Sequence, residues 1–371
     1  VGEGHFMKKE SISASQLFAL IFLFELGTAL VVPIGLESGH AVWIAILLAL
    51  PGGLLLYLIY IYLYRQYPGM IISGYTRKIL GNVIGWPLSL TYIPILLFNG
   101  SRNLHESGEL LIAASYDRTP VFIIYAMMVV AVIYILNKGI EVFARAAEIY
   151  MLIIILLGLT SCFLVIAAGL VKLDNLFPLQ ASDWKNALKS AYLNIWLFPF
   201  GEMVCFTTIL PHIKKTKVAK RTGIIAMTLC GLLLSFTHAI EISVLGTEIY
   251  SRANFPMFTT ITLVNLANFI QRLDALVLLT LIIGVFFKMS VYCYAAMVVT
   301  ADLFKVQDSR KLAVPVGIVV LFGAFISSAN YPIHMDEGRI FLKYILPYFC
   351  AAVPILLFIV HYIRRKLGSI G

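Results

Sequence analysis

The chain has 371 residues, of which 60% are hydrophobic and 13% charged, with a mean hydropathy of +0.92. That composition excludes an ordinary soluble domain and marks a polytopic helical membrane protein. The net charge of +9 does not call for nucleic acid, because the basic residues sit in short loops between apolar runs, where topology and anionic lipid account for them.

Val1 to Phe6 precede Met7-Lys8-Lys9-Glu10, which has the form of a natural start, so residues 1–6 are expected to be an appended remnant. Ten spans follow, near 14–36, 41–64, 82–115, 120–137, 140–170, 187–210, 222–246, 273–301, 312–330 and 340–362. The third and fifth exceed the roughly 20 residues a bilayer requires, an excess that tilt or protrusion absorbs.

The first span breaks at Glu25-Leu26-Gly27-Thr28-Ala29. A half-helix is expected to end near Leu26 and a new one to begin near Thr28. The N–H groups of Gly27, Thr28 and Ala29 would then face a cavity and favour an anion such as a carboxylate. The competing reading is a glycine that only lets helices pack closely. Glu25 lies at the end of the first half-helix, where the dipole disfavours negative charge, so it should be protonated or paired. Lys288, mid-span in the eighth run, is the candidate partner.

The third span carries Asn99, Arg102, Asn103, His105, Glu106 and Glu109 on overlapping faces of one helix. They form either a polar cavity wall or proton path, or a self-satisfied ion pair that pins helices. In span five, Glu141, Arg145 and Glu148 stand at helical spacing and predict an internal ladder of ion pairs.

The sixth span breaks at Phe198-Pro199-Phe200-Gly201-Glu202. Proline removes an N–H and clashes with the preceding turn, and Gly201 relaxes the backbone. Carbonyls near Phe198 and Phe200 could accept from an ammonium group. Glu202 would open the next half-helix, where the dipole favours its ionised form. The basic run from His212 to Arg221 reads as a topology anchor. His238 and Glu241 in span seven read as a buried histidine with a satisfied hydrogen bond, a proton relay being the alternative. Asn254 to Gln271 is too short and polar to cross, and reads as an outer helix over the cavity mouth.

With the N-terminus placed in the cytoplasm, 17 of the 28 Lys and Arg residues fall in cytoplasmic segments and 8 on the other side, with Arg102, Arg145 and Lys288 inside spans. This bias puts both termini in the cytoplasm. Ten spans divide into five and five, and an odd number per half inverts the second half against the first. The chain is therefore read as one transmembrane domain, residues 1–371, with inverted repeats about 14–170 and 187–362. The halves share only the Phe24-x-x-Gly27 and Phe198-x-x-Gly201 correspondence. Paired interruptions at matching positions point to a transporter-type binding site.

Catalysis is not expected, since no HExxH, GxSxG or Walker loop is present. Five cysteines, all in apolar runs without CxxC spacing, read as small buried hydrophobes. No cofactor or metal is called for.

The segments ELGTALVVPIG (25–35), DRTP (117–120) and FPFGEMVCFTTILPHIKK (198–215) resemble the spore germination permease family, the B subunits of nutrient germinant receptors, within the amino acid/polyamine/organocation superfamily. The resemblance runs over nearly the whole chain after Met7. It implies an all-α fold of ten transmembrane helices, a 5+5 inverted repeat of the leucine-transporter type with broken helices 1 and 6. It also implies a nutrient pocket between spans one, three, six, eight and ten, and partnership with A and C subunits in the spore inner membrane. Carried onto this chain, the pocket residues are Gly27, Thr28, Ala29, Phe200, Gly201 and Glu202, with Asn103, Glu106 and Tyr292 as looser assignments. Sodium-coupled relatives hold a cation between spans one and eight. A Lys288 ammonium in that region could replace it, so sodium coupling is not expected. The resulting expectation is a subunit that senses a small nutrient, an amino acid. The alternatives are a proton-coupled amino acid transporter, with Glu25, Glu106 or Glu202 carrying the proton, and a water or ion conduit.

Overall fold

The computed structural model describes residues 10–114, 118–213, 215–265, 273–327 and 331–367. The expected remnant, Asp117 of the DRTP segment, Lys214 of the basic run and the end of the expected outer helix lie outside these. The described residues are helical, without strands.

Helix α1 (Ala14–Leu26) opens on a capping box in which the Ser13 hydroxyl accepts from Gln16 N–H at 3.1 Å and Ser13 N–H donates to the Gln16 side chain at 2.9 Å. The expected second half-helix is not there. One 3-10 turn, Thr28–Leu30, is followed by irregular chain to Gly35 and a 3-10 segment, Leu36–Ala41. Pro33 and the left-handed Gly35 and Gly39 account for this, since none favours a helix interior.

Span two is α2 (Val42–Gln66), followed by a short amphipathic helix, α3 (Ile72–Leu80). Span three is α4 (Asn82–Leu90) and α5 (Tyr92–Ala114), and spans four and five are α6 (Val121–Asn137) and α7 (Ile140–Ala167). Span six is α8 (Ala181–Ser190), a π turn (Ala191–Ile195), the break at Phe198–Pro199, and a 3-10 helix, Phe200–Thr208. Span seven is α9 (Thr216–Arg252), kinked where Gly246 takes φ +69°. The outer segment contains α10 (Pro256–Thr262). Spans eight and nine are α11 (Asp274–Phe304) and α12 (Ala313–Ile326). The last is α13 (Tyr331–Ile340), two π turns and α14 (Val353–Lys366).

Seven helices among the described residues are long and apolar enough to cross a bilayer. Two shorter apolar helices, α1 and α6, and the broken sixth span complete ten. The last span starts earlier than expected. Its first turns carry His334, Asp336, Glu337 and Arg339, which lower hydropathy enough to resemble a loop.

Spans two and seven pack together, as do spans three and eight, which pairs equivalent members of the two halves. α11 is the most buried of the seven long spans and α7 the least, with Ile149, Leu156, Leu159 and Phe163 of α7 exposed for lipid. Pro51-Gly52-Gly53 lets α2 touch the broken sixth span: a Cβ at Gly52 would meet Trp196, and one at Gly53 would run into Phe200. The ladder expected in span five does not form. Ser11 N–H donates to Glu141 at 2.8 Å and the Gln16 amide to Glu148 at 3.4 Å, while Arg145 is exposed. The carboxylates thus receive the N-terminal segment instead of the arginine between them.

Candidate ligand cavity at the two broken helices

Where spans one and six lose their regular helix, a cavity of about 500 Å³ opens between them and spans three and ten. That volume suits a small organic molecule. Its floor is made by buried Thr28, Asn103 and Glu202, and its mouth carries the exposed Glu37, Arg252, Asp336 and Arg339. The cavity is therefore open at one face of the membrane domain.

The floor is built by backbone interruption. Gly27, at φ 12° and ψ −117°, ends α1 with its N–H on Leu23 O at 3.0 Å. Beyond it the Thr28 hydroxyl turns to Asn103, donating to the side-chain oxygen at 3.3 Å. The Asn103 amide donates to Asn99 O at 2.8 Å. On the sixth span the tight turn at Phe198–Pro199 leads Glu202 N–H to Pro199 O at 3.1 Å and sets the Glu202 carboxylate on the cavity wall.

Behind Glu202 lies Lys288 of α11, fully buried, its Nζ 2.8 Å from Glu202 Oε2. Neither atom has an aligned hydrogen-bond partner, so the contact is an ion pair rather than a directed hydrogen bond. The ammonium also sits over the rings of Phe198 at 4.4 Å and Phe24 at 5.3 Å. Lys288 reaches this place past Gly27, where a Cβ would come within 2.8 Å of its Cδ. A Cβ at Gly284 would meet the Gly27 carbonyl at 2.8 Å, so the two glycines set spans one and eight backbone to backbone. Lys288 thus pairs with Glu202, not Glu25. Glu25 is fully buried, and neither of its oxygens is hydrogen-bonded among the described residues.

The side wall joins span three to span ten. Glu106 Oε1 is 3.5 Å from Arg102 and 3.3 Å from Nε2 of the buried His334. Arg102 also donates to the His334 carbonyl at 3.0 Å. The His334 ring stacks on His105 at 4.5 Å. On the far side of span one, His238 Nε2 donates to the Ala29 carbonyl at 3.1 Å. Its Nδ1 lies 2.9 Å from both Glu241 and the Tyr250 hydroxyl.

Of the residues singled out in the sequence, Thr28, Asn103, Glu106 and Glu202 line the cavity. Gly27 and Ala29 face α11 and α9. Phe200 packs on Gly53 and Gly231, and the Gly201 carbonyl accepts from Tyr60 at 3.1 Å. Tyr292 does not line the cavity but is buried just behind it, its ring packed on Phe24 at 5.3 Å and its hydroxyl beside Glu202. Sequence reading missed His334 and the wall that α13 contributes, including Met335 and Gly338. The available signal was helical spacing: His334, Gly338 and Phe341 fall on one face.

The family profile described as "Spore germination protein" matches residues 11–332. The chain is 38% identical over 361 residues to Spore germination protein KB of Bacillus subtilis (strain 168), covering 97% of each chain. It is 22% identical over 325 residues to Spore germination protein YndE of the same organism, covering 87% of this chain and 88% of that one. Among solved structures, it resembles MhsT in complex with L-phenylalanine, with TM-score 0.63 and 14% identity over 94% of this chain and 89% of that one. It also resembles Mhp1, a nucleobase-cation-symport-1 family transporter, in a closed conformation with bromovinylhydantoin bound, with TM-score 0.70 and 14% identity over 97% and 80%. The 5+5 inverted-repeat architecture with broken helices 1 and 6 is the fold of these transporters.

Proposed function

The chain belongs to the spore germination protein family, and from that premise we propose that it is the nutrient-sensing subunit of a germinant receptor, binding an amino acid in the cavity. The observation that carries this reading is the cavity itself, floored by Thr28, Asn103 and Glu202 where two helices are interrupted. In this reading Thr28, Asn103, Glu106 and Glu202 touch the nutrient. Gly27, Ala29, Phe200, Gly201 and Tyr292 shape the floor from behind, and Glu25 and Lys288 couple its charge to the helices. The protein sits in the spore inner membrane with both termini cytoplasmic, beside A and C subunits that read its conformation. Binding can shift that conformation only by the ligand's differential affinity for the two states.

The fold is shared with transporters, and Glu106 and Glu202 stand on the cavity wall as proton carriers would. A proton-coupled amino acid transporter is therefore the second reading. One experiment separates the two. Purified protein is screened against amino acids by thermal shift, since a ligand that binds only the folded state raises apparent stability. It is then placed in vesicles with an imposed proton gradient. A sensor stabilises without accumulating labelled amino acid; accumulation that collapses with the gradient assigns transport. No stabilisation by any amino acid overturns the amino acid reading.

A further inference from the structure

The inner charges of the cavity are already matched within the protein. Glu202 is 2.8 Å from Lys288, and Glu106 is 3.5 Å from Arg102. Lys288 is fully buried behind Glu202, held by the close pass at Gly27 and roofed by the Phe198 ring. Methionine or leucine there would fill the same space without charge. A lysine instead supplies Glu202 with a tethered ammonium, the group that a cationic ligand would bring. A lone charge taken into such a site finds its counter-charge occupied, and freeing that counter-charge leaves a buried ion unpaired. A ligand carrying one charge of each sign exchanges partners pairwise, and an uncharged ligand disturbs neither pair. Discrimination of this kind works by penalising the wrong ligand.

We propose that the Glu202–Lys288 pair restricts the cavity to small polar molecules of zero net charge, with Lys288 as the specificity residue that excludes cations. This rests on the reading of the cavity as the ligand site.

The test uses three molecules of one shape on the full chain in lipid nanodiscs. L-leucine is the zwitterion, isoamylamine is leucine without its carboxylate, and 4-methylpentanoate is leucine without its ammonium. The readout is the rise in thermal midpoint with each, for the parent, Lys288→Met, Glu202→Gln and the double variant. The parent is expected to favour L-leucine over both charged fragments. Lys288→Met should gain affinity for isoamylamine by about tenfold or more, and Glu202→Gln should gain for 4-methylpentanoate by the same order. The double variant, neutral again, should gain for neither. If a single variant does not fold alone, its recovery by the matched fragment and not by the mismatched one is the same readout. A parent that binds a charged fragment as tightly as L-leucine overturns the proposal, as do single variants that gain nothing or shift in the same direction. If L-leucine binds and the variants show no shift, the charge rule falls while the nutrient reading stands. If the parent binds none of the three but each single variant gains its matched fragment, the charge rule stands and leucine is ruled out as the nutrient.

Discussion

Gly53 and Phe200 show how little side-chain volume the broken sixth span tolerates. A methyl group on Gly53 would overlap the Cβ of the fully buried Phe200, an atom that no change of rotamer moves aside. Overpacking of this kind costs about 1–3 kcal/mol. Gly53→Ala is therefore expected to lower the thermal midpoint clearly. Gly74 makes the contrast: it lies inside α3, and its Cβ would stand at an ordinary 3.5 Å from Met70. Gly74→Ala should leave the midpoint unchanged or raise it, because alanine is favoured over glycine in a helix by up to about 1 kcal/mol. Equal loss in both variants would show that the contact at Phe200 carries no special weight. At this scale the sequence disclosed the chemistry of single residues but not their partners. Glu202 and Lys288 are 86 positions apart, and hydropathy alone made Glu25 just as good a partner for the lysine.

The element that most depends on its neighbours is the stretch from Gly27 to Gly35. Without a regular second half-helix, its carbonyls need partners from elsewhere. His238 supplies one for Ala29, and the Tyr250 hydroxyl stands 3.2 Å from Ile34 O and 3.3 Å from Ile34 N. Both come from α9, so span seven acts as the missing hydrogen-bond partner of span one. Tyr250→Phe removes a bridging hydroxyl at a cost of about 1 kcal/mol. His238→Ala strands the Ala29 carbonyl and leaves Glu241 buried without its imidazole, at about 1–3 kcal/mol for each stranded group. The expected order of thermal stability is parent, then Tyr250→Phe, then His238→Ala. An unchanged midpoint for His238→Ala would mean the segment holds itself. The mirror case is the other end of α1, where Ile12 N–H donates to His212 O at 3.1 Å and the Tyr294 hydroxyl meets His212 Nε2 at 2.8 Å. Those contacts tie down the end of α1 that lies away from the cavity. The broken spans were legible because glycine, proline and a carboxylate clustered inside an apolar run are costly against lipid and tolerable beside a polar cavity. The start of the tenth span was not, because a helix that turns polar residues toward a cavity scores like a loop.

For the molecule as a whole, an even number of spans and the excess of Lys and Arg on one side predict both termini on that side. Single cysteines placed at Lys172 and Lys305, in a background without native cysteines, are expected to react with an impermeant maleimide from opposite faces of the membrane. Labelling of both from one face would refute the ten-span order. The sequence by itself determined that the chain lives in a membrane, how many times it crosses, which two spans are interrupted and which ionisable groups are carried inside. These follow from local composition, because lipid penalises unsatisfied backbone and charge wherever they occur along the chain. Tertiary structure alone decided which charge faces which, that Lys288 answers Glu202, that His334 joins the wall through Glu106, and that span seven serves the open carbonyl of span one. Such pairings depend on distances of a few ångströms between segments far apart in the chain, and hydrophobic pattern carries no term for them.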